Sequence, residues 1–166
     1  MRARSWSASF RTSSAPASPS APRFFVGKKL ATPQSPIEIV QTIYQRLVTA
    51  NATGKDYEPS DDALLSPRLK SLEAAAKKAA GTDIPCGMDF SIWFDGQEYD
   101  LKRAAVTEAP GATADAQTII AKFDSVGAAH ELRFTFRLIA GRWRLDEARS
   151  VIGTKWTFSR LLQCKE

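Results

Sequence analysis

Apolar residues in this chain recur first at helical spacing and then in alternation, and the change of period falls near Gly81. Ile37, Val40, Ile43, Tyr44, Leu47 and Val48 lie three and four positions apart, which predicts a helix with one buried face. Its start is marked by Ser35-Pro36-Ile37-Glu38: a capping serine, a proline at the first helical position and a glutamate three residues after the cap. Asn51 to Gly54 ends it. Ser66-Pro67 repeats the signal, and Leu65, Leu69, Leu72 and Ala76 form the stripe of a second helix that stops at Gly81. Lys70, Lys77 and Lys78 take its wet face, where they suit the negative end of the helix dipole.

Beyond Gly81 the alternating stretches Leu101 to Glu108, Thr118 to Ser125, His130 to Ile139 and Arg142 to Ser150 read as strands bounded by Gly, Pro or Asp. In the third, Leu132, Phe134, Phe136 and Leu138 point one way and Arg133, Thr135 and Arg137 the other, so the sheet has one buried and one solvated face. Ala140-Gly141 makes the hairpin to the fourth strand, and Phe134, Phe136 and Trp143 are the expected filling of the core. The last apolar stretch, Trp156, Phe158, Leu161 and Leu162, fits a short helix or a terminal strand equally well. Helices first and antiparallel strands afterwards predict an α+β domain, its N-terminal helices packed on one face of a curved antiparallel sheet.

Charge changes the picture at the N-terminus. Residues 1–36 hold six basic residues and no acid, leaving 17 basic residues against all 18 acids in the remainder. A pI of 9.4 therefore describes a Ser/Ala/Pro-rich tail rather than the folded surface, and no nucleic-acid partner is predicted. Residues 1–34 are expected to be a disordered or targeting leader, or the product of a misassigned start codon, with residues 35–166 forming a single domain. No apolar run is long enough to span a bilayer. Cys86 and Cys164 sit in no Cys-x-x-Cys pair and, with one histidine in the chain, fall short of a metal site; they are either a disulfide or two reduced thiols.

The element order and the ending Gly141-Arg142-Trp143-Arg144-Leu145-Asp146 resemble the nuclear transport factor 2-like superfamily. The closer resemblance is to bacterial domains grouped as domain of unknown function 3828. Ser35, Pro36, Val40 and Tyr44 match that family's first helix with one residue of slack, and Asp89-Phe90-Ser91-Ile92-Trp93-Phe94-Asp95-Gly96-Gln97-Glu98 matches its mid-chain stretch, with Glu98 standing where the family tends to show aspartate. The resemblance implies a cystatin-like cone. It also implies an exported protein, periplasmic or secreted if the start codon is misassigned and cytoplasmic otherwise, with Cys86 and Cys164 joined. No common activity comes with it.

The polar cluster from Asp89 to Asp100 is the chemical feature of the chain, since carboxylates beside Trp93, Phe94 and Tyr99 could form a pocket that raises an acid's pKa. Its Asp and Gly residues are also ordinary turn formers, and its spacing lacks a calcium-binding loop. His130 reads as a surface histidine at a strand end; hairpin pairing sets it near Ser150 or Val151, and Asp146 near Thr135, which disfavours a His130–Asp146 dyad. Arg133, Arg137, Arg142 and Arg144 form either an anion-binding patch or a solvated face paired with Glu131, Asp146 and Glu147. The expectation is a non-enzymatic module that binds a small molecule or a protein through Asp89, Trp93, Asp95, Gln97, Glu98 and Tyr44, without cofactor or metal, with homodimerisation through the sheet face possible. The alternative is a cavity enzyme doing proton transfer or hydrolysis with acids of the 89–100 segment.

Overall fold

The computed structural model describes residues 34–164, so all of the expected leader but its last residue lies outside the described residues. Helix α1 (Pro36–Thr53) opens with the capping box: Glu38 N donates to Ser35 Oγ and Ser35 N donates to Glu38 Oε2 at 2.8 Å. Those bonds hold the Glu38 carboxyl below its usual range. Helix α2 (Pro67–Ala80) is capped by Ser66, whose Oγ accepts from Leu69 N at 3.2 Å.

Strands β1 (Ala104–Glu108), β2 (Ala116–Ser125), β3 (Ala128–Ile139), β4 (Arg142–Ser150) and β5 (Trp156–Thr157) form one antiparallel sheet in chain order, and helix α3 (Phe158–Leu161) follows β5 directly. The terminal apolar stretch is thus strand and then helix. Strands β2 and β3 begin two residues earlier than the alternation predicts. By contrast β1 begins three residues later, and Leu101 is fully buried in the irregular segment before it. Helix α1 packs over β1 and β2, giving the helix-on-antiparallel-sheet architecture of an α+β fold.

The inner face of the sheet carries Ile119, Ala121, Phe123, Leu132, Phe134 and Phe136, all buried. Leu138, predicted to share that face, is 40 % exposed at the strand end, and Trp143 opposite it is half-buried. Strand β4 breaks its alternation: Phe136 pairs with Leu145 and Thr135 with Glu147, so Asp146 is the extra residue of a β-bulge. The bulge turns both Leu145 and Ala148 inward. Asp146 accepts from Ser66 Oγ at 2.7 Å, Arg68 Nε at 3.2 Å and Arg137 Nε at 3.3 Å, tying the bulge to the start of α2. Burial would raise this carboxyl, but the Ser66 hydrogen bond and the charges of Arg68 and Arg137 hold it below the usual range. Of the four arginines singled out in the sequence, Arg133 pairs with Glu131, Arg137 pairs with Asp146 and Arg144 donates to the Ala63 carbonyl.

Between α2 and β1 the chain forms no regular element, yet it supplies core. Ser91 N donates to Gly96 O at 2.8 Å and Asp95 N to Ser91 O at 3.0 Å, closing a tight loop that drives Ile92, Trp93 and Phe94 into the interior. Trp93 stacks on Phe134 with ring centroids 4.6 Å apart, and Tyr44 Oη donates to the Trp93 carbonyl at 2.6 Å. The space over the inner face is therefore filled by rings, which bury the largest apolar areas per residue.

Candidate functional site

The loop that plugs the core also presents Asp95 outward from it. Asp95 has φ +57, a left-handed conformation that aspartate tolerates better than most residues, and this turns its side chain towards the edge of β4 and β5. Three donors from three places meet its carboxylate. Ser150 Oγ, at the end of β4, donates to Oδ2 at 3.0 Å; His130 Nδ1, near the start of β3, donates to the same oxygen at 3.2 Å; Trp156 Nε1, in β5, donates to Oδ1 at 2.6 Å. Asp95 and His130 side chains are 13 % and 16 % exposed. His130 also stacks on Phe123, with centroids 5.0 Å apart and planes 11° apart, so it is a packed, hydrogen-bonded residue and not the surface histidine expected from its place in the strand.

Asp95, Ser150 and Trp156 of this cluster line a groove of about 980 Å³ between the 89–97 loop on one side and the β4 end, β5 and α3 on the other, with His130 bonded to Asp95 outside the lining. Asp89, Phe90 and Gln97 stand on the first wall; Arg149, Lys155, Trp156 and Arg160 stand on the second. Phe90 meets Trp156 edge-on at 5.3 Å, and Gln97 Nε2 donates to the Asp89 carbonyl at 3.1 Å. Behind the groove the walls are joined covalently by Cys86–Cys164, whose Cα atoms are 5.4 Å apart. Gly87 lies so close to α3 that a Cβ there would stand 2.8 Å from Leu161 Cβ. Glu147 secures α3 from below, accepting from Ser159 N at 3.0 Å and Ser159 Oγ at 2.5 Å.

Aspartate, histidine and serine together invite comparison with a hydrolytic triad, but the order of hydrogen bonds differs. In a triad the histidine takes the serine proton and the aspartate holds the far side of the ring. Here Asp95 is the hub, and the Ser150 hydroxyl lies 3.0 Å from both Asp95 Oδ2 and the Ile152 carbonyl, with no hydrogen bond to His130 among the described residues. The arrangement fixes three elements around one carboxylate; it does not prime a nucleophile. Asp146, at the bulge beside Thr135, is remote from His130, as the hairpin pairing predicts.

Of the residues expected to bind a ligand, Asp89, Asp95 and Gln97 line the groove. Tyr44 and Trp93 do not: both are buried in the core, with the phenol and the indole committed to protein acceptors. Burial, followed by the Asp95 charge, pushes the Tyr44 hydroxyl well above its usual pKa, so it remains a neutral donor. Glu98 is exposed and faces away, beside Tyr57 and Tyr99 at a separate cavity of about 540 Å³. Asp61 escapes notice in the sequence: its Oδ1 accepts from Trp93 Nε1, and burial raises its pKa to about 6 despite that bond, with Glu58, Glu73 and Asp62 adding to the rise. Asp61 does not line the groove. Among the described residues no group of three or more His, Cys, Asp or Glu side chains could hold a metal ion. No helix of these residues is long and apolar enough to cross a membrane. Comparison with protein-family models, with curated proteins and with solved structures finds no match to this chain.

Proposed function

We propose that this chain is an exported, non-enzymatic module of the nuclear transport factor 2-like type, near domain of unknown function 3828, that holds a small molecule in the groove above Asp95. The observation that carries the reading is the hub itself. A carboxylate bonded by His130, Ser150 and Trp156 fixes part of the lining, one aromatic wall included, before any ligand arrives, and pre-organisation of this kind lowers the ordering cost of binding. Two helices followed by an antiparallel meander, with α1 across the sheet, support the proposed type. Because Trp93, Phe134 and Phe136 fill the interior, the ligand sits at the sheet edge. Export is supported by Cys86–Cys164, since structural disulfides persist in oxidising compartments. The enzyme alternative finds no activated nucleophile among the described residues of the groove, and Asp61, whose carboxyl burial raises to about 6, does not line it.

The test is a small-molecule screen on ¹⁵N-labelled protein. Binding is expected to shift the Trp156 indole and Gln97 amide signals and to leave the Trp93 indole unmoved. Ligands that move only the Arg133–Arg137 face would relocate the site, and turnover abolished by Ser150→Ala would replace the binding module with an enzyme.

A further inference from the structure

The charges around the groove narrow what it can hold. Asp95 offers little to a cation, because three hydrogen bonds occupy most of the roughly four lone-pair positions of its carboxylate. Arg149, Lys155 and Arg160 line the opposite wall, on a strand, a loop and a helix, and all three are exposed. Arg149 stands across the sheet from Arg133, another cation, and from the neutral Thr157. Neither Arg149 nor Lys155 forms an ion pair among the described residues. Arg149 and Lys155, two like charges with no ion pair among the described residues, do not help the fold, so the use of these two lies with something that arrives. Between the cations is Trp156, its plane fixed by the bond to Asp95 and by the edge of Phe90, which provides a flat apolar surface of set orientation. Asp89, exposed on the facing wall, disfavours an anion placed on that side and so orients the ligand's charge towards β5.

We infer that the groove selects small aromatic anions: a flat apolar ring laid against Trp156 and Phe90, with a carboxylate or similar anionic group directed at Arg149, Lys155 and Arg160. This rests on the groove being the binding site proposed above. It is tested with matched pairs, 2-naphthoate against 2-naphthamide and indole-3-acetate against indole-3-acetamide, titrated into the labelled protein while the Trp156 indole signal is followed. At least one acid is expected to bind about tenfold more tightly than its amide, and the acid alone to lose about tenfold in the R149E/K155E variant. Both positions are exposed, and Glu at 149 would face Arg133, so the variant should keep its melting temperature. Should it not fold, the native protein still decides: raising salt from about 0.02 to 0.3 M weakens the acid's binding and leaves the amide's unchanged. Equal affinities within every pair, or acid binding indifferent to both the substitutions and salt, overturn the anion inference while the groove stands. If no member of either pair moves the Trp156 signal, the groove reading falls and this inference with it.

Discussion

Replacing Asp61 by asparagine should make the protein more stable at neutral pH, and the gain should vanish in acid. The half-buried carboxyl has its pKa raised from 3.8 to about 6, so the folded state binds its proton more tightly than the unfolded chain does. For such an acid the stabilising contribution is complete below the unfolded value near 4 and is lost as pH rises through about 6. Above that, ionised Asp61 costs about 3 kcal/mol relative to its protonated form, at about 1.4 kcal/mol for each tenfold change in proton affinity. Asparagine is neutral at every pH and keeps an oxygen to accept from the Trp93 indole. The measurement is urea unfolding of Asp61→Asn and the native protein at several pH values from about 4 to 7.5. Taking the difference between the two proteins removes groups such as Asp146, whose lowered pKa contributes stability that is lost as pH falls. A gain of at least about 1 kcal/mol at pH 7 that shrinks towards zero near pH 4 is expected. A difference that does not change with pH, or a loss at pH 7, would refute the claim that burial strains this carboxylate.

Breaking Cys86–Cys164 by a paired change to serine should cost up to about 4.5 kcal/mol on the chain-entropy account of a 78-residue separation; equal denaturation midpoints with and without reductant would contradict it. Phe134→Ala empties a fully buried site stacked on Trp93 and should cost about 3 to 5 kcal/mol in urea titration, whereas a loss below about 1 kcal/mol would mean that the ring borders open space. Ser66→Ala removes both the cap of α2 and a donor to Asp146, so about 1 to 2 kcal/mol should go, with amide exchange quickening around Leu69; unchanged exchange there would separate the bulge from the helix.

What could be read from the residues followed how local the deciding physics is. Ser35, Pro36 and Glu38 announce α1 because a capping box is settled within four positions. The alternation of Leu132, Phe134 and Phe136 announces β3 for the same reason. Ile92-Trp93-Phe94 has no period, since three consecutive buried residues fit neither a helix stripe nor a half-buried strand, and only the Ser91–Gly96 closure explains them. His130 has the local character of a solvent-facing strand end. Its partner lies 35 residues away in a loop, and nothing nearby reports the approach. Asp61 sits in the polar run Glu58-Pro59-Ser60-Asp61-Asp62, which resembles exposed loop until Trp93 arrives from the other side. The Asp95 hub is likewise a meeting of distant residues. Composition could nominate the 89–97 segment, but not the tryptophan and serine that complete it.

The bulge at Asp146 sets more than the shape of one strand. Alternation has only two phases, and a single extra residue converts one into the other. Everything after Asp146 is therefore in the opposite phase from Trp143 and Leu145: Ala148 and Ser150 look inward, and Arg149 outward. Inserting one further residue after Asp146, with the bulge still taking up a single residue, would leave the composition of β4 almost untouched while exchanging the roles of its last positions. Arg149 would be directed into the aromatic interior, and Ser150 would leave Asp95. The groove thus depends on a count, so a one-codon change at a position that never touches the ligand could erase the site more completely than most substitutions within it.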